Sequence, residues 1–131
     1  MTAALDDAVG TILAALAKHH LEEETLVIFL GDNGAAKYLK SGDNSPFRRG
    51  KLYLFEGGIR VPFMMKWPGH IPVGTTTSLP VSSLDLAPTI AATAGVKDWK
   101  DIRTDGVNLT PWLTGKRDDP PHQRLFWRNG P

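Results

Sequence analysis

The sequence predicts an α/β fold, in which a mixed sheet is flanked by helices. Residues 4–20 carry apolar side chains at helical spacing, with aspartates near the start and Lys18 near the end, as in an amphipathic helix. The next apolar segment, TLVIFL at 25–30, is an unbroken run rich in β-branched residues, which is typical of a strand buried on both faces. A helix followed by such a strand indicates a sheet covered by helices.

The composition allows one hydrophobic core and argues against several classes of function. A chain of 131 residues with 41% hydrophobic content is long enough to bury about two-thirds of its unfolded surface. Its 15 basic and 14 acidic residues give a net charge of +1, which argues against nucleic acid or an anionic membrane as the main partner. The absence of cysteine excludes disulfides, thiolate metal sites and a cysteine nucleophile, and no apolar run reaches the ~20 residues of a membrane helix.

Three later segments read as strands, and a long loop precedes them. Residues 31–50 are rich in glycine, asparagine, serine and lysine, which predicts a surface loop of the length that is usually functional or mobile. RVPFMMKW at 60–67 predicts a strand, and RLFWRN at 124–129 predicts another. SLPVSS at 78–83 is interpreted as a short edge strand, because its proline cannot donate a hydrogen bond to a sheet.

A second helix is predicted through LAPTIAATA at 86–94. Ser83 or Asp85 would cap its start, and Pro88 is tolerated because it falls in the first turn. Gly95 is a plausible end, since glycine readily adopts the left-handed backbone that follows a helix.

The chain is predicted to be part of a larger protein. Residues 1–115 are assigned to the carboxyl-terminal part of an α/β domain, ending with a short helix that has Pro111 in its first turn. Residues 116–131 are assigned to the beginning of a small carboxyl-terminal subdomain. A helix without a leading strand and a final aromatic strand without a partner would each expose apolar surface. A fragment of this kind is expected, with surface through which copies of the chain could associate.

Asp32 and Asn33 are the first candidate functional residues. They follow the predicted strand directly, between Gly31 and Gly34, at the end of the strand where open α/β sheets bind ligands. A carboxylate and an amide oxygen suit Ca²⁺ or Mg²⁺ better than zinc or copper, but two residues supply only part of a shell of about six to eight oxygens. The alternative is an ordinary turn, because Asp, Asn and Gly favour turns without any ligand.

Lys51 is the second candidate, in the segment RRGKLYLFEGG at 48–58. A lysine ammonium can neutralise a tetrahedral oxyanion as a compact charge, whereas an arginine such as Arg48 or Arg49 offers a bidentate fork. Either could hold sulfate or phosphate. The alternative is a solvated basic loop, because lysine is nearly always exposed.

Other polar residues and glycines are predicted to have structural roles. Gly57 and Gly58 are expected to supply backbone angles that other residues disfavour. Glu56 and Arg60 are expected to form a structural ion pair.

His19 and His20 lie at the predicted end of the first helix, where a cation complements the helix dipole. His70 and His122 have no carboxylate or nucleophile at a spacing that suggests a catalytic unit. None of the four histidines is given a chemical role.

Four segments occur in an informative order along the chain. They are TLVIFLGDNG, NSPFRRGKLYLFEGGIRVPFMMKWPGHIPVG, VSSLDLAPTIAATAGV and DGVNLTPWLTG. Together they resemble the carboxyl-terminal half of the formylglycine-dependent sulfatases, members of the alkaline phosphatase superfamily. The resemblance covers nearly the whole chain and implies part of the mixed, helix-flanked sheet of that superfamily. It also implies the activity of an arylsulfatase-like sulfuric ester hydrolase, with a periplasmic, secreted or lysosomal location.

The resemblance also assigns roles to the candidate residues. By resemblance, Asp32 and Asn33 are ligands of a divalent cation, usually calcium, and Lys51 is the catalytic-site cation that contacts the substrate sulfate. We therefore expect all three side chains to face a common cavity. The family's nucleophile is a formylglycine formed in a Cys/Ser-x-Pro-x-Arg segment. That segment and a further aspartate pair for the metal are expected only in the amino-terminal half that this chain lacks.

This chain departs from the family pattern at two positions. NSPFR at 44–48 has the spacing of the nucleophile segment, but Asn44 offers no hydroxyl or thiol that could be activated, so the match is interpreted as coincidence. The residue after Lys51 is Leu52, where relatives often carry glycine. Without a nucleophile the chain is predicted to be inactive alone. Its expected partners are a sulfate ester substrate and the amino-terminal half of the enzyme.

Two other functions remain open at this point. A phosphate or phosphonate ester hydrolase of the same superfamily fits, because sulfate and phosphate esters share a tetrahedral geometry that Lys51 does not discriminate. A non-catalytic module that binds Ca²⁺ or sulfated glycans would use the same residues without chemistry.

Overall fold

The computed structural model describes residues 2–39, 42–98 and 103–128. Its regular elements, in chain order, are α1 (Thr2–Lys18), β1 (Val27–Leu30), a 3₁₀ turn (Lys37–Leu39), α2 (Glu56–Ile59), β2 (Phe63–Lys66), a second 3₁₀ turn (Ser83–Asp85), α3 (Leu86–Thr93) and α4 (Thr110–Leu113). The predicted α/β class is confirmed. The contacts divide the chain into two units, one running up to Trp67 and including the segment from Phe126, the other Pro68–Leu125. The domain boundary expected at residue 115 stays a prediction.

Helix α1 confirms the first predicted helix but has no buried residue. Its apolar side chains are exposed or half-buried, and Ile12 is 59% exposed. The helix ends in a Schellman motif, in which Leu21 N donates to Leu16 O at 2.9 Å. His20 holds the left-handed backbone of that motif, with φ 55°, so this histidine has a structural role. Neither α1 nor any other helix in the described ranges is long and apolar enough to cross a membrane.

Strands β1 and β2 pair antiparallel, with Val27 opposite Lys66. The prediction that the first strand is buried on both faces is wrong for the described residues, because all four residues of β1 are half-buried. The reason is that β1 contacts only β2 among the described elements, so no helix covers either face of the sheet. The sheet is joined to the preceding acidic segment by an ion pair of 2.8 Å between Lys66 Nζ and Glu22 Oε1.

The second unit is built around α3 and the buried side chain of Leu109, which is 2% exposed. Helix α3 confirms the predicted helix, since Pro88 lies in its first turn and Gly95, with φ 73°, follows its end. Thr89 is buried, and its hydroxyl accepts a 2.9 Å hydrogen bond from Leu109 N. This bond joins α3 to the segment before α4. The short helix predicted around Pro111 is confirmed as α4.

The edge strand predicted at 78–83 does not form. Ser82 N donates to Asp85 Oδ2 at 2.8 Å, and Ser82 Oγ accepts from Leu84 N at 3.3 Å. This capping box engages backbone groups that a sheet edge would otherwise use. Asp85 is the N-cap residue of α3, but its side chain makes no capping bond to that helix. The side chain that caps the start of the helical segment is that of Ser82.

The last predicted strand does not form within the described part of RLFWRN either. Residues 124–128 have no regular structure, and Phe126 is 84% exposed. The residues have strand propensity, but a strand needs a neighbouring strand to satisfy its backbone groups.

Asp85 connects three segments of the second unit. Its side chain is fully buried, and the carboxylate accepts hydrogen bonds from Ser82 N and Val107 N, each at 2.8 Å. His122 Nε2 lies 2.8 Å from Oδ1 and 2.9 Å from Oδ2 of the same carboxylate. The spacing of acidic residues around His122 in the sequence does not suggest this pair. The partner is 37 positions away in the sequence, which no local spacing argument could detect.

Candidate functional site

The Asp-Asn-Gly turn directly follows β1. Asp32 is exposed and Asn33 is half-buried. Asp32 Oδ1 accepts a 2.9 Å hydrogen bond from Asn33 N, and Asn33 Nδ2 donates to Gly34 O at 3.0 Å. Such local bonds are typical of an ordinary turn. Asp32 Oδ2 and Asn33 Oδ1 take no part in them, so each residue keeps an oxygen that could bind a cation.

Buried glycines pack this turn against α2. Gly34 N donates to Gly58 O at 3.0 Å, and a Cβ on Gly34 would lie 1.7 Å from Gly57 O. A Cβ on Gly58 would lie 2.0 Å from Tyr53 O. Gly57 and Gly58 lie within α2 and have no positive φ, so the prediction that they supply special backbone angles is wrong. These positions require the absence of a side chain, because a Cβ would force the two segments apart.

Asn44 joins the same turn to the segment that carries Lys51. Its Oδ1 accepts from Ala35 N at 2.8 Å, and its Nδ2 donates to Ala35 O at 2.9 Å and to Arg49 O at 3.1 Å. Lys51 N also donates to Ala35 O, at 3.2 Å. The backbone of Ala35 is thus hydrogen-bonded to Asn44 and to Lys51, which lie before and after Gly50 in the sequence. Asn44, interpreted from the sequence as a coincidental match, holds the two candidate segments together.

Asn44→Ala is expected to lower the free energy of unfolding by about 2–3 kcal/mol, because it removes three hydrogen bonds and leaves the part-buried Ala35 N without its acceptor. Denaturant unfolding followed by tryptophan fluorescence measures the loss. Ser45→Ala is the matched control, since its hydroxyl bonds the exposed Asp43, and a change within about 0.5 kcal/mol is expected. Equal losses in the two variants would contradict the structural role of Asn44.

Lys51 lines a cleft of about 330 Å³. The lining residues are Lys37, Tyr38, Arg49, Gly50, Lys51, Leu52 and Tyr53. Three of them are cations and none is acidic. Lys51 itself is half-buried, unlike a lysine of a fully solvated loop. Neither Asp32 nor Asn33 lines this cleft, so a cavity common to all three side chains stays a prediction.

The backbone next to Lys51 is left-handed at two residues that line the cleft. Arg49 and Leu52 have left-handed backbones, with φ 66° and 80°. Glycine would adopt such a backbone without strain, so a leucine in this position keeps a glycine-type conformation at a cost of about 1 kcal/mol. The Arg49 guanidinium lies 4.8 Å from the centre of the Tyr53 ring, a cation–π contact that favours this position by about 0.5–1 kcal/mol at an exposed site.

Two exposed polar contacts lie in the same unit. The predicted ion pair is present, with Arg60 Nη1 3.6 Å from Glu56 Oε2, but both side chains are 61% exposed and the pair contributes little to stability. The Ser45 hydroxyl and backbone N–H donate to the Asp43 carboxylate and lower its pKa. Neither contact involves the candidate residues.

The candidate metal ligands fit a divalent cation in type but not in number. Asp32 and Asn33 offer a carboxylate and an amide oxygen, which suit Ca²⁺ or Mg²⁺. Across the described ranges, no group of three or more His, Cys, Asp or Glu side chains could hold a metal ion. A complete coordination shell would therefore need oxygens from outside these residues.

Comparisons with known proteins agree on one family. The Sulfatase family model matches residues 1–96. Arylsulfatase A of Homo sapiens is 43% identical over 129 residues, which cover 97% of this chain and 25% of that protein. N-acetylgalactosamine-6-sulfatase of Homo sapiens is 40% identical over 130 residues, covering 96% of this chain and 24% of that protein. Steryl-sulfatase of Mus musculus is 36% identical over 144 residues, covering 96% and 23%.

A solved structure supports the same assignment. The crystal structure of Ps i-CgsB in complex with k-i-k-neocarrahexaose matches with a TM-score of 0.84 and 41% identity, covering 93% of this chain and 26% of that one. The chain spans about a quarter of the length of the relatives it matches. The resemblance recognised in the sequence is confirmed, and the chain belongs to the sulfatase family.

Proposed function

We propose that this chain is the part of an arylsulfatase-like sulfuric ester hydrolase that contributes two metal ligands and a sulfate contact. The observation that carries the proposal is the glycine-lined junction between the Asp-Asn-Gly turn and α2, in a chain of the sulfatase family. Backbone hydrogen bonds at Gly34 and Ala35 tie the turn to the segment with Lys51. Because the chain spans about a quarter of its relatives, the proposal treats it as a fragment that is inactive without an amino-terminal part.

In this proposal Asp32 and Asn33 bind Ca²⁺ or Mg²⁺ through the oxygens that their turn leaves unused. The bound cation would supply positive charge that stabilises negative oxygens of the substrate. Lys51 would place its ammonium against a sulfate oxygen, and its partial burial would strengthen that attraction relative to bulk water. The nucleophile, a formylglycine, would come from the amino-terminal part.

The names of the relatives support the sulfate ester class without selecting one organic group. They refer to aryl, N-acetylgalactosamine 6- and steryl sulfates, and the three proteins are 36–43% identical to this chain. Because the three sequence identities are so similar, they favour none of the three organic groups as the substrate of this chain. A periplasmic, secreted or lysosomal location belongs to the same proposal.

Parallel assays of the full-length polypeptide with 4-nitrophenyl sulfate and 4-nitrophenyl phosphate test the class of ester. The two esters have the same tetrahedral shape and differ in charge, so Lys51 alone does not separate them. We expect kcat/KM for 4-nitrophenyl sulfate to exceed kcat/KM for 4-nitrophenyl phosphate. A preference for the phosphate would instead assign the chain to a phosphate or phosphonate ester hydrolase.

The isolated chain is expected to bind Ca²⁺ weakly, with a Kd of about 0.1–1 mM or higher, because two ligands leave most of the shell to water. Isothermal titration calorimetry of the wild type and of Asp32→Ala measures this affinity. Asp105→Ala, which removes an exposed carboxylate from the other unit, is the control. Submicromolar binding that depends on Asp32 would support a non-catalytic Ca²⁺-binding module instead.

A further inference from the structure

We propose that Asn33 is a site of spontaneous covalent modification, deamidation at the Asn33–Gly34 linkage, and that the packing of Gly34 against α2 controls its rate. The product has an aspartate or an isoaspartate in place of the asparagine. The proposal rests on the contacts of the Gly34 backbone and not on a role of Asn33 in metal binding. It gives the glycine-lined junction a second role, the protection of a labile linkage.

An asparagine followed by glycine is labile because no side chain shields the backbone nitrogen that attacks the asparagine side chain. In the reaction, Gly34 N gives its proton to a hydroxide ion of the solvent and bonds to Asn33 Cγ. The bond from Cγ to Nδ2 breaks, and ammonia leaves with a proton from water, which regenerates the hydroxide. Water then adds to either carbonyl carbon of the cyclic imide, and this step gives aspartate or isoaspartate.

The packing of the turn requires the glycine that makes the linkage labile. Gly34 is buried, and a Cβ on it would lie 1.7 Å from Gly57 O. A residue with a larger side chain would slow the reaction, but it would also force the turn and α2 apart. The labile linkage is therefore a consequence of the close approach that holds the turn against α2.

The folded junction opposes the first step of the reaction. Gly34 N donates to Gly58 O at 3.0 Å, so its proton is bonded within the protein and is not offered to solvent. Asn33 Nδ2, the atom that would leave, donates to Gly34 O at 3.0 Å. Gly34 N must turn toward Asn33 Cγ to react, and this movement breaks the bond to Gly58 O. The reaction therefore proceeds through an opened form of the junction.

Asn44 controls how readily the junction opens. Its side chain bonds Ala35, the residue after Gly34, with 2.8 Å to Ala35 N and 2.9 Å to Ala35 O. Lys51 N donates to the same carbonyl at 3.2 Å. These bonds restrain the backbone next to Gly34. Removal of the Asn44 bonds is expected to raise the population of the opened form and with it the rate of deamidation at Asn33.

Isoaspartate at position 33 would make the opening permanent. It places a side-chain carbon in the main chain, and the longer main chain displaces Gly34, whose contact with Gly57 O leaves no spare room. Aspartate would keep the length of the main chain and add a negative charge beside Asp32. Where Asn33 binds a cation, as in the proposed function, both products change the oxygens offered to that cation.

Peptide mapping by mass spectrometry of the full-length polypeptide tests the proposal without any substitution. The protein is incubated with EDTA, which removes any cation bound at the turn, in native buffer and in guanidinium chloride at the same pH and temperature. Asn33 is expected to deamidate at least about tenfold more slowly in native buffer, the factor given by an opening free energy of about 1.4 kcal/mol. The other Asn-Gly of this chain, Asn129–Gly130, is the reference in guanidinium chloride, where both linkages should react at similar rates.

Asn44→Ala in native buffer tests the control of the opening through Ala35. It is expected to raise the rate at Asn33 about five- to tenfold, the size of a lost hydrogen bond. Ser45→Ala is the matched control, because the Ser45 hydroxyl bonds the exposed Asp43, and its rate should stay within about twofold of the wild type. The comparison of buffer and denaturant on the wild type decides the proposal where Asn44→Ala does not fold.

Each of three results would overturn the proposal. Equal rates at Asn33 in native buffer and in guanidinium chloride would show that the junction gives no protection. An intact Asn33 in guanidinium chloride, after Asn129 has reacted, would show that the linkage is not labile. Equal rates in folded Asn44→Ala and Ser45→Ala would show that the bonds to Ala35 do not control the opening. All three leave the proposed function intact, since it is tested by hydrolysis of 4-nitrophenyl sulfate.

Discussion

Lys51→Ala is expected to lower kcat for 4-nitrophenyl sulfate about 100- to 1,000-fold in the full-length polypeptide, while Ca²⁺ binding is retained. The backbone of Lys51 is held in place before any substrate binds, because Lys51 N donates to Ala35 O at 3.2 Å and the residue is half-buried. Removal of one preorganised charge-stabilising group from an active site costs about this factor in rate, because the stabilisation acts where charge develops in the transition state. Steady-state kinetics at saturating substrate, with a separate titration of Ca²⁺, measure the two effects.

Asp32→Ala is the comparison that separates the two roles. It removes a carboxylate from the turn and leaves Lys51, the proposed sulfate contact, in place, so the affinity for Ca²⁺ should fall and high Ca²⁺ should restore part of kcat. Lys116→Ala removes an exposed lysine of the other unit and should leave both quantities unchanged. A normal kcat in Lys51→Ala together with a normal Ca²⁺ affinity in Asp32→Ala would contradict both roles.

The elements that local chemistry defines are the ones that the sequence predicts well. The apolar spacing of α1 and the position of Pro88 in the first turn of α3 need no knowledge of distant residues. SLPVSS at 78–83 has the apolar content of an edge strand, but the side chains of Ser82 and Asp85 bond the local backbone instead. Composition alone does not decide between an edge strand and these local hydrogen bonds, because the same residues can form either.

The candidate site shows the same difference between local chemistry, which the sequence reveals, and long-range contacts, which it does not. Side-chain chemistry makes Asp32, Asn33 and Lys51 candidates and leaves an ordinary turn and a solvated loop open, so their roles come from the resemblance to the sulfatases. The contacts that join their segments link residues distant in sequence. Gly58 illustrates the difficulty. A glycine can be required for a positive φ or for a close approach of two segments, and its sequence does not tell which. The close approach applies here, because Tyr53 O leaves no room for a Cβ on Gly58. Contacts of this range depend on how the chain folds back on itself, which a pattern of spacings does not encode.

Asp85→Ala is expected to lower the free energy of unfolding by about 3–5 kcal/mol, the largest loss of any single substitution considered for this chain. The reason is that one fully buried carboxylate satisfies Ser82 N, Val107 N and His122 Nε2 together. Without it, three part-buried groups lose their partner, and an unsatisfied donor costs up to about 1–3 kcal/mol when it is fully buried. Asp85→Asn should lower the free energy of unfolding by less, because the amide keeps one oxygen acceptor. A loss is still expected, because the amide N–H₂ group would face a donor that now bonds the second carboxylate oxygen.

A double-mutant cycle tests whether the carboxylate and the imidazole act as a pair. His122→Ala should cost less than Asp85→Ala, because it leaves the two backbone donors satisfied. The double variant should be more stable than the sum of the single losses implies, since either substitution removes the same contact. Asp105→Ala removes an exposed carboxylate from the same unit and should change stability by no more than about 0.5 kcal/mol. If Asp85→Ala unfolds at the same denaturant concentration as Asp105→Ala, the buried carboxylate does not stabilise the second unit. If the losses of Asp85→Ala and His122→Ala add, the carboxylate acts through its backbone donors alone.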